Sequence, residues 1–325
     1  MADFKALTAK ECALELLKIE RPLVLMHARP DGDTVGTCSA LCKVFRMLGK
    51  SPVYLCSDEI PERLQFLLRG ERGADRDRLS QLQPVAVDIA SSAQLGAIRD
   101  IIPAPRLMID HHELGEPFAD NFIIPGQSSA AEVLMEVCEE LIAMGYITMS
   151  PELAYPIYAG ISSDTGSFRY SSTKPETMRR AAALMELGIN FSDISHRLFS
   201  SKSRAQLAAE GYVAENLKTA VGGRIAYASV TRRARAALCA ELSDFETSID
   251  VIRSLQGVEI SFVIKENDDG SYRASLRSTG ADVATVCRGF GGGGHIRAAG
   301  CTVYAESTEE AEALVLNSIL KKYYS

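Results

Sequence analysis

Residues 106–112 read RLMIDHH. An apolar run stops at Asp110, and two histidines follow with no spacer. The chain of 325 residues has only five histidines, so two of them side by side at the end of an apolar run call for a reason. Similar runs, short, apolar and bounded by Pro, Gly or Asp, recur on either side: PLVLMHA (22–28), PVYLCS (52–57), PVAVDIA (84–90) and NFIIPG (121–126). Runs with no polar alternation predict strands buried on both faces. Between the first two, TVGTCSALCKVFRMLG (34–49) has helical spacing and ends on a glycine, a helix stop. Buried strands with interposed helices imply an α/β domain, a parallel sheet with helices on both faces, over residues 1–190.

Farther along, SSAAEVLMEVCEELIAMG (128–145) and KPETMRRAAALMELG (174–188) read as helices. Residues 191–217, with SKSRAQLAAEGYVAENLK, read as a helical linker. From 218 the pattern becomes partly alternating: GGRIAYASVT, GVEISFVIKE, SYRASLRST and IRAAGCTVYA predict strands, NDDG (267–270) predicts a hairpin turn, and STEEAEALVLNSILKKYY predicts a closing helix. Residues 218–325 therefore predict a smaller α/β domain with a mixed sheet.

Composition narrows the function. Hydrophobic residues make up 46% and charged residues 24%, the balance of a soluble globular protein. The first twenty residues mix Lys and Glu into apolar positions, which fits an amphipathic helix and not a signal peptide, and no apolar stretch reaches the roughly 18–20 residues a membrane span needs. The eight cysteines show no C-x-x-C and read as buried, reduced thiols of a cytoplasmic protein. A formal net charge of -7 argues against a partner such as long duplex nucleic acid. Small anionic ligands remain open, because a pocket needs few cations and bound metal ions escape the formal count.

In an open parallel sheet, ligands bind beyond the carboxyl ends of the strands. The first strand ends in HARPDGD, presenting His27, Asp31 and Asp33; the third ends in VDIASS with Asp88; the fourth ends in IDHHE with Asp110, His111 and His112. A helical stretch then breaks at GISSDTGSF with Asp164. Taken singly, Asp88 or Asp164 reads as a turn former or helix cap, and His112 as a core histidine. Jointly those readings leave unexplained why acids and histidines gather at the same ends. Two carboxylates about 4 Å apart repel by about 4 kcal/mol at an effective dielectric near 20. Divalent cations remove that conflict. Oxygen and imidazole donors suit manganese or a similar ion, and a cluster of this size suggests two ions, the arrangement used to hydrolyse phosphate esters.

The set HARPDGD, VDIA, DHH and GISSDTGSF, followed by GFGGGGHIRAAG, resembles the DHH phosphoesterases with a DHH-associated domain of the first type. The match runs from about residue 20 to 305, and RPDGD, SDTGSF and GGGGH together look like the bacterial nano-RNase and 3′-phosphoadenosine-5′-phosphate (pAp) phosphatase branch. Thr37 stands where that motif often has serine, which keeps the hydroxyl. The resemblance implies that His27 and Asp31 bind one metal ion, that Asp33, His111 and Asp164 bind the second, and that Asp88 bridges them. It leaves His112 to assist the leaving group, with Asp110 orienting His111. Arg277, Ser278, Gly292, Gly293, Gly294 and His295 are expected to hold the far end of the substrate, with Arg29 touching phosphate near the metals. One domain gripping a terminal nucleotide while the other cuts would act as a ruler that admits short substrates only. The expected function is two-metal hydrolysis of short oligoribonucleotides to mononucleotides, with pAp as a second substrate and manganese as the expected ion. A phosphodiesterase for cyclic or linear dinucleotides is the alternative enzyme, and a non-catalytic nucleotide sensor the alternative from another class. The sequence does not reveal oligomeric state, although homodimers are the commonest assembly.

Overall fold

The structure is a computed structural model that describes residues 4–113 and 115–324. The chain divides into two compact units, Met1–Ser201 and Lys202–Ser325.

In the first unit, helix α1 (Ala9–Lys18) precedes β1 (Pro22–Leu25), α2 (Gly32–Met47), β2 (Val53–Leu55), β3 (Gln83–Val87), β4 (Leu107–Asp110) and β5 (Asn121–Ile123). Helices α3 (Ala130–Ala143), α4 (Pro151–Asp164), α5 (Pro175–Glu186) and α6 (Phe191–Ser195) follow. The five strands form one sheet in the order β2-β1-β3-β4-β5, and every pairing is parallel, as the doubly apolar runs predict. Alternate side chains serve two cores. Val24, Val85, Val87, Leu107 and Ile109 pack with α1 to α4, whereas Leu23, Leu25, Ala86 and Met108 pack against Leu79, Leu95 and Ile98 of short 3₁₀ turns. Because β1 is flanked by β2 on one side and β3 on the other, the chain order reverses there. That is where a crevice opens at the carboxyl ends of such a sheet.

Helices α2 and α4 cross closely, and two glycines explain how. A Cβ on Gly36 would lie 2.6 Å from the Pro156 carbonyl oxygen and 2.9 Å from Gly160 N. A Cβ on Gly160 would lie 2.6 Å from the Ala131 side chain and 2.8 Å from Asp33 Oδ1. Only backbone fits between these helices.

The second unit begins with α7 (Arg204–Glu215), part of the segment the sequence reads as a linker. It buries Ala209 and Val213 in this unit's core and is not a free connector. Then come β6 (Lys218–Ala220), β7 (Ile225–Val230), α8 (Arg232–Leu238), α9 (Ser248–Arg253), β8 (Ile260–Glu266), β9 (Tyr272–Ser278), α10 (Val283–Arg288), β10 (Gly293–His295), β11 (Ala298–Val303) and α11 (Thr308–Tyr323). The mixed sheet runs β10-β11-β9-β8-β7-β6, with β7 and β8 parallel and the other neighbours antiparallel. One face packs on α10 and α11. On the other face the core of α7 and α9 takes in Ala226, Ala228, Val230 and Val263 of β7 and β8. The opposite face of β9, β11 and β10 carries Arg273, Ser275, Arg277, Ala298, Gly300 and Thr302, none of them buried.

All eight cysteines are free thiols; Cys239, at the left-handed end of α8, is exposed, unlike the buried set the sequence predicts. No helix among the described residues is long and apolar enough to cross a membrane.

Candidate metal centre

The crevice at the ends of β1 and β3 is lined by acids and imidazoles. Asp31 is the N-cap of α2 and accepts hydrogen bonds from Asp33 N and Thr34 N, so a tight turn carries the chain from His27 to Asp33. Asp33 is buried. It accepts from Ala130 N at 2.6 Å and Ala131 N at 3.1 Å, the first amides of α3, and from Thr37 Oγ1 at 3.2 Å. The hydroxyl at position 37 therefore holds this carboxylate. Asp164 closes α4. A carboxylate at a helix C-terminus opposes the helix dipole, a placement that favours a nearby cation.

Asp88 ties the arrangement together. Its backbone takes a left-handed conformation, φ 57°, unusual for a residue other than glycine, and Arg29 does the same at φ 60°. Asp88 Oδ2 lies 3.5 Å from His27 Nε2, and Asp88 Oδ1 lies 3.5 Å from His111 Nε2. Around His27 stands Asp31 Oδ1 at 3.8 Å; around His111 stand Asp33 Oδ2 at 3.9 Å and Asp164 Oδ2 at 3.6 Å. Two groups thus converge, His27–Asp31–Asp88 and Asp33–His111–Asp164, each with donor atoms within 4.8 Å of one another. Such separations are too long for hydrogen bonds. Donors about 2.1 Å from one ion in tetrahedral or octahedral geometry lie about 3.0–3.5 Å apart, so small relaxation would let each group close on a cation.

The imidazoles are set for the same purpose. His27 Nδ1 faces Ala28 O at 2.8 Å and His111 Nδ1 faces Gln127 O at 3.0 Å. A carbonyl only accepts, so each Nδ1 carries the proton and each Nε2 keeps its lone pair toward the acids. His112 differs. Its Nδ1 is 2.7 Å from Asp110 Oδ1. This corrects the expectation that Asp110 orients His111. In an extended chain residues i and i+2 point the same way, so Asp110 pairs with His112 and His111 turns to the opposite side.

The protein groups alone shift these sites unevenly. Burial raises the Asp33 carboxyl well above its ordinary value, aided by repulsion from Asp88 and Asp164. Burial also opposes ionisation of Asp88, but attraction to the neighbouring His111 and His27 imidazoles outweighs it and holds that carboxyl well below the usual range. Asp164 is pushed up to about 7 by burial, with His111 pulling it back and Asp31 and Asp88 adding to the rise. Ligation needs the unprotonated carboxylate. Affinity for a divalent ion should therefore weaken as pH falls below about 7, by about tenfold per pH unit for each proton displaced. Calorimetric titration of Mn²⁺ in buffers of differing ionisation heat counts those protons; affinity unchanged between about pH 6 and pH 8 would contradict this arrangement.

Beside the centre, a cavity of about 520 Å³ is lined by Ala90, Ser91, Gln94, Gly115 and Glu116, the loops that follow β3 and β4. Arg29 is exposed, two residues after His27 in sequence.

In the second unit the expected substrate residues divide. His295 pairs with Ala298 and Ala298 with Arg277, so one row runs across β10, β11 and β9. In-register neighbours share a face, which puts His295 and Arg277 on the face opposite α10 and α11, two strand spacings or about 10 Å apart, with a small residue between them. Ser278 points the other way. It is buried, and its hydroxyl donates to Ala281 O, so it does not join Arg277 as a ligand. Of the glycine run, Gly293 and Gly294 belong to the edge strand β10. A Cβ on Gly292 would lie 2.3 Å from Gly300 O, and one on Gly294 2.5 Å from Ala298 O, so these two glycines let β10 approach β11. A Cβ on Gly293 would meet nothing within 4 Å.

Comparison with known proteins agrees with the geometry. The DHH family, N-terminal domain, matches residues 21–161, and the DHHA1 domain matches residues 222–321. The chain belongs to the DHH family. Among curated DHH relatives, the bifunctional oligoribonuclease and PAP phosphatase NrnA of Thermus thermophilus is 28% identical over 94% of this chain and 91% of its own. NrnA of Bacillus subtilis is 24% identical over 91% of this chain and 94% of its own. A crystal structure of an exopolyphosphatase-related protein from Bacteroides fragilis superposes with a TM-score of 0.87 at 25% identity, covering 97% of this chain and 96% of that one. DHH phosphoesterases are metal-dependent, and this DHH chain has the carboxylate and imidazole cluster that such an enzyme requires.

Sequence reasoning missed the residues behind the cluster: the Gln127 carbonyl, the Ala130 and Ala131 amides, and Glu132. The signal available was S-A-A-E at 129–132, the pattern that opens a helix with a capping box.

Proposed function

We propose that this protein hydrolyses short 5′-phosphorylated oligoribonucleotides to mononucleotides and removes the 3′-phosphate of pAp, using two divalent ions, Mn²⁺ being the expected metal. The observation that carries the reading is Asp88, whose two carboxylate oxygens each stand 3.5 Å from the imidazole of a separate ligand group. His27 and Asp31 hold one ion, Asp33, His111 and Asp164 the other, and Asp88 both. When bound, the ions supply Lewis-acid neutralisation of phosphoryl charge and activate water for attack on phosphorus. Asp110 accepts the Nδ1 proton of His112, which fixes the ring and leaves Nε2 to deliver a proton to the departing oxygen. Burial lowers the proton affinity of His112, but Asp110 and Asp88 more than offset this and raise it above the ordinary histidine value, which suits a general acid. Arg29, two residues after His27, is the proposed further contact to phosphate. The reading fits a reducing, cytoplasmic setting and small nucleotides over long duplexes.

Arg277 and His295, in one row across β9, β11 and β10, are the proposed anchor for a terminal nucleotide, with Gly293 beside them in β10. Arginine suits a phosphate because its fork of donors matches the oxygens. Arg277→Ala is expected to weaken capture of dinucleotides and pAp while leaving metal content and the slow hydrolysis of a small generic phosphodiester unchanged. Equal losses on all three substrates would remove the anchor.

The deciding experiment is an activity panel of two- to five-nucleotide RNA, pAp and cyclic dinucleotides, with and without Mn²⁺. Turnover of cyclic dinucleotides alone would favour a signalling phosphodiesterase, and binding with no turnover a sensor.

A further inference from the structure

Behind the metal centre lies a buried carboxylate that the reaction itself does not touch. Glu132, in the first turn of α3, is fully buried. Its Oε2 accepts hydrogen bonds from Ser128 Oγ at 2.5 Å and Thr177 Oγ1 at 3.1 Å. Its Oε1 has no hydrogen-bond partner, and the Arg180 guanidinium stands 3.8 Å away. That guanidinium is itself held by Glu136 Oε1 at 2.9 Å and by the Glu132 carbonyl at 3.0 Å. Burying a carboxylate this deeply is costly, and a helix start needs only the Ser129 cap, which is present. The capping pattern therefore does not account for the acid.

What Glu132 fastens is informative. The turn from Gly126 to Ala131 makes three hydrogen bonds to the second ligand group: Gln127 O accepts from His111, and Ala130 N and Ala131 N donate to Asp33. Both outer anchors of that turn come from the start of α5, where Lys174 Nζ donates to Gly126 O at 2.6 Å and Thr177 reaches Glu132. We propose that Glu132 is a positioning residue for the Asp33–His111–Asp164 group. Tied to α5 through Thr177 and to the turn through Ser128, its carboxylate keeps Gln127 and the first amides of α3 where His111 and Asp33 require them. The proposal rests on the two-ion reading and assigns Glu132 to one ion of the two.

The test is Mn²⁺ binding to the full chain without substrate, followed by electron paramagnetic resonance and calorimetry. Glu132→Gln and Thr177→Val should each weaken one ion by about 10–100-fold, the usual cost of losing a partner behind a ligand, and leave the other ion unchanged. Glu132→Ala should lose more than Glu132→Gln, which keeps an acceptor oxygen. Added to His111→Ala, Glu132→Gln should change nothing further in the ion that remains; added to His27→Ala, it should weaken the remaining ion. In ¹⁵N spectra the His111 ring should lose its fixed Nδ1–H tautomer in the Glu132 variants. A purely structural acid would instead lower thermal stability and weaken both ions alike. That result, or a folded Glu132→Gln protein that binds both ions as wild type does, overturns the proposal. If Glu132→Ala does not fold, Thr177→Val decides, because valine keeps the volume of a fully buried threonine. A wild-type chain that binds fewer than two ions overturns the two-ion reading and this proposal with it.

Discussion

Asp88→Asn abolishes turnover on every substrate of the panel and lowers metal content from two ions per chain. An amide has the carboxylate's shape but no charge, and only one of its atoms can act as a ligand, so it cannot serve the His27 group and the His111 group at once. Asparagine is preferable to alanine here because the residue sits in the left-handed region, which asparagine tolerates better than alanine does. Asp88→Ala should be equally inactive, with an added backbone cost of about 1–2 kcal/mol. Asp88 lies one residue beyond β3 and keeps its backbone hydrogen bond to Ile109 O whatever its side chain, so circular dichroism should show both variants folded. Near-normal turnover by a folded variant would end the bridging assignment.

His112→Ala has the next largest expected effect, a fall in rate of about 10²–10⁴-fold, the usual worth of general acid catalysis, with both ions retained. The distinction from His111 lies in what each Nδ1 meets. His111 faces a carbonyl and presents Nε2 to three acids, whereas His112 faces Asp110. Asp110→Asn should resemble a milder His112→Ala, since the amide holds the ring less firmly. Elemental analysis separates the roles: loss of an ion in His112→Ala would make it a ligand. A leaving group that needs no proton should also rescue His112→Ala and not Asp88→Asn.

Much of this architecture was readable from residue pattern because burial on two faces leaves a plain signature. β1, β3 and β4 are apolar runs, and their ends could be named before any coordinate was known. The six proposed ligands were legible for a related reason: acids and histidines have no cause to gather at apolar strand ends unless a cation joins them. Where the reading failed, it neglected geometry of period two. Asp110 was paired with its sequence neighbour His111 instead of with His112, and Ser278 was grouped with Arg277 although adjacent residues of a strand face opposite ways. β10 was not legible, since glycines carry no apolar pattern, and its pairing with β11 shows only in the clashes a side chain would make. Glu132 stayed hidden because its partner Thr177 lies 45 residues away in the chain.

The crossing of α2 and α4 has a consequence for how the protein tolerates change. Asp31 and Asp33 ride on one helix and Asp164 on the other, and Gly36 and Gly160 set the distance between them. Coordination geometry is thus inherited from interior packing: the helix pair works as a caliper whose jaws are the ligands. A methyl group added at that crossing would register as a change in metal occupancy before it registered as unfolding.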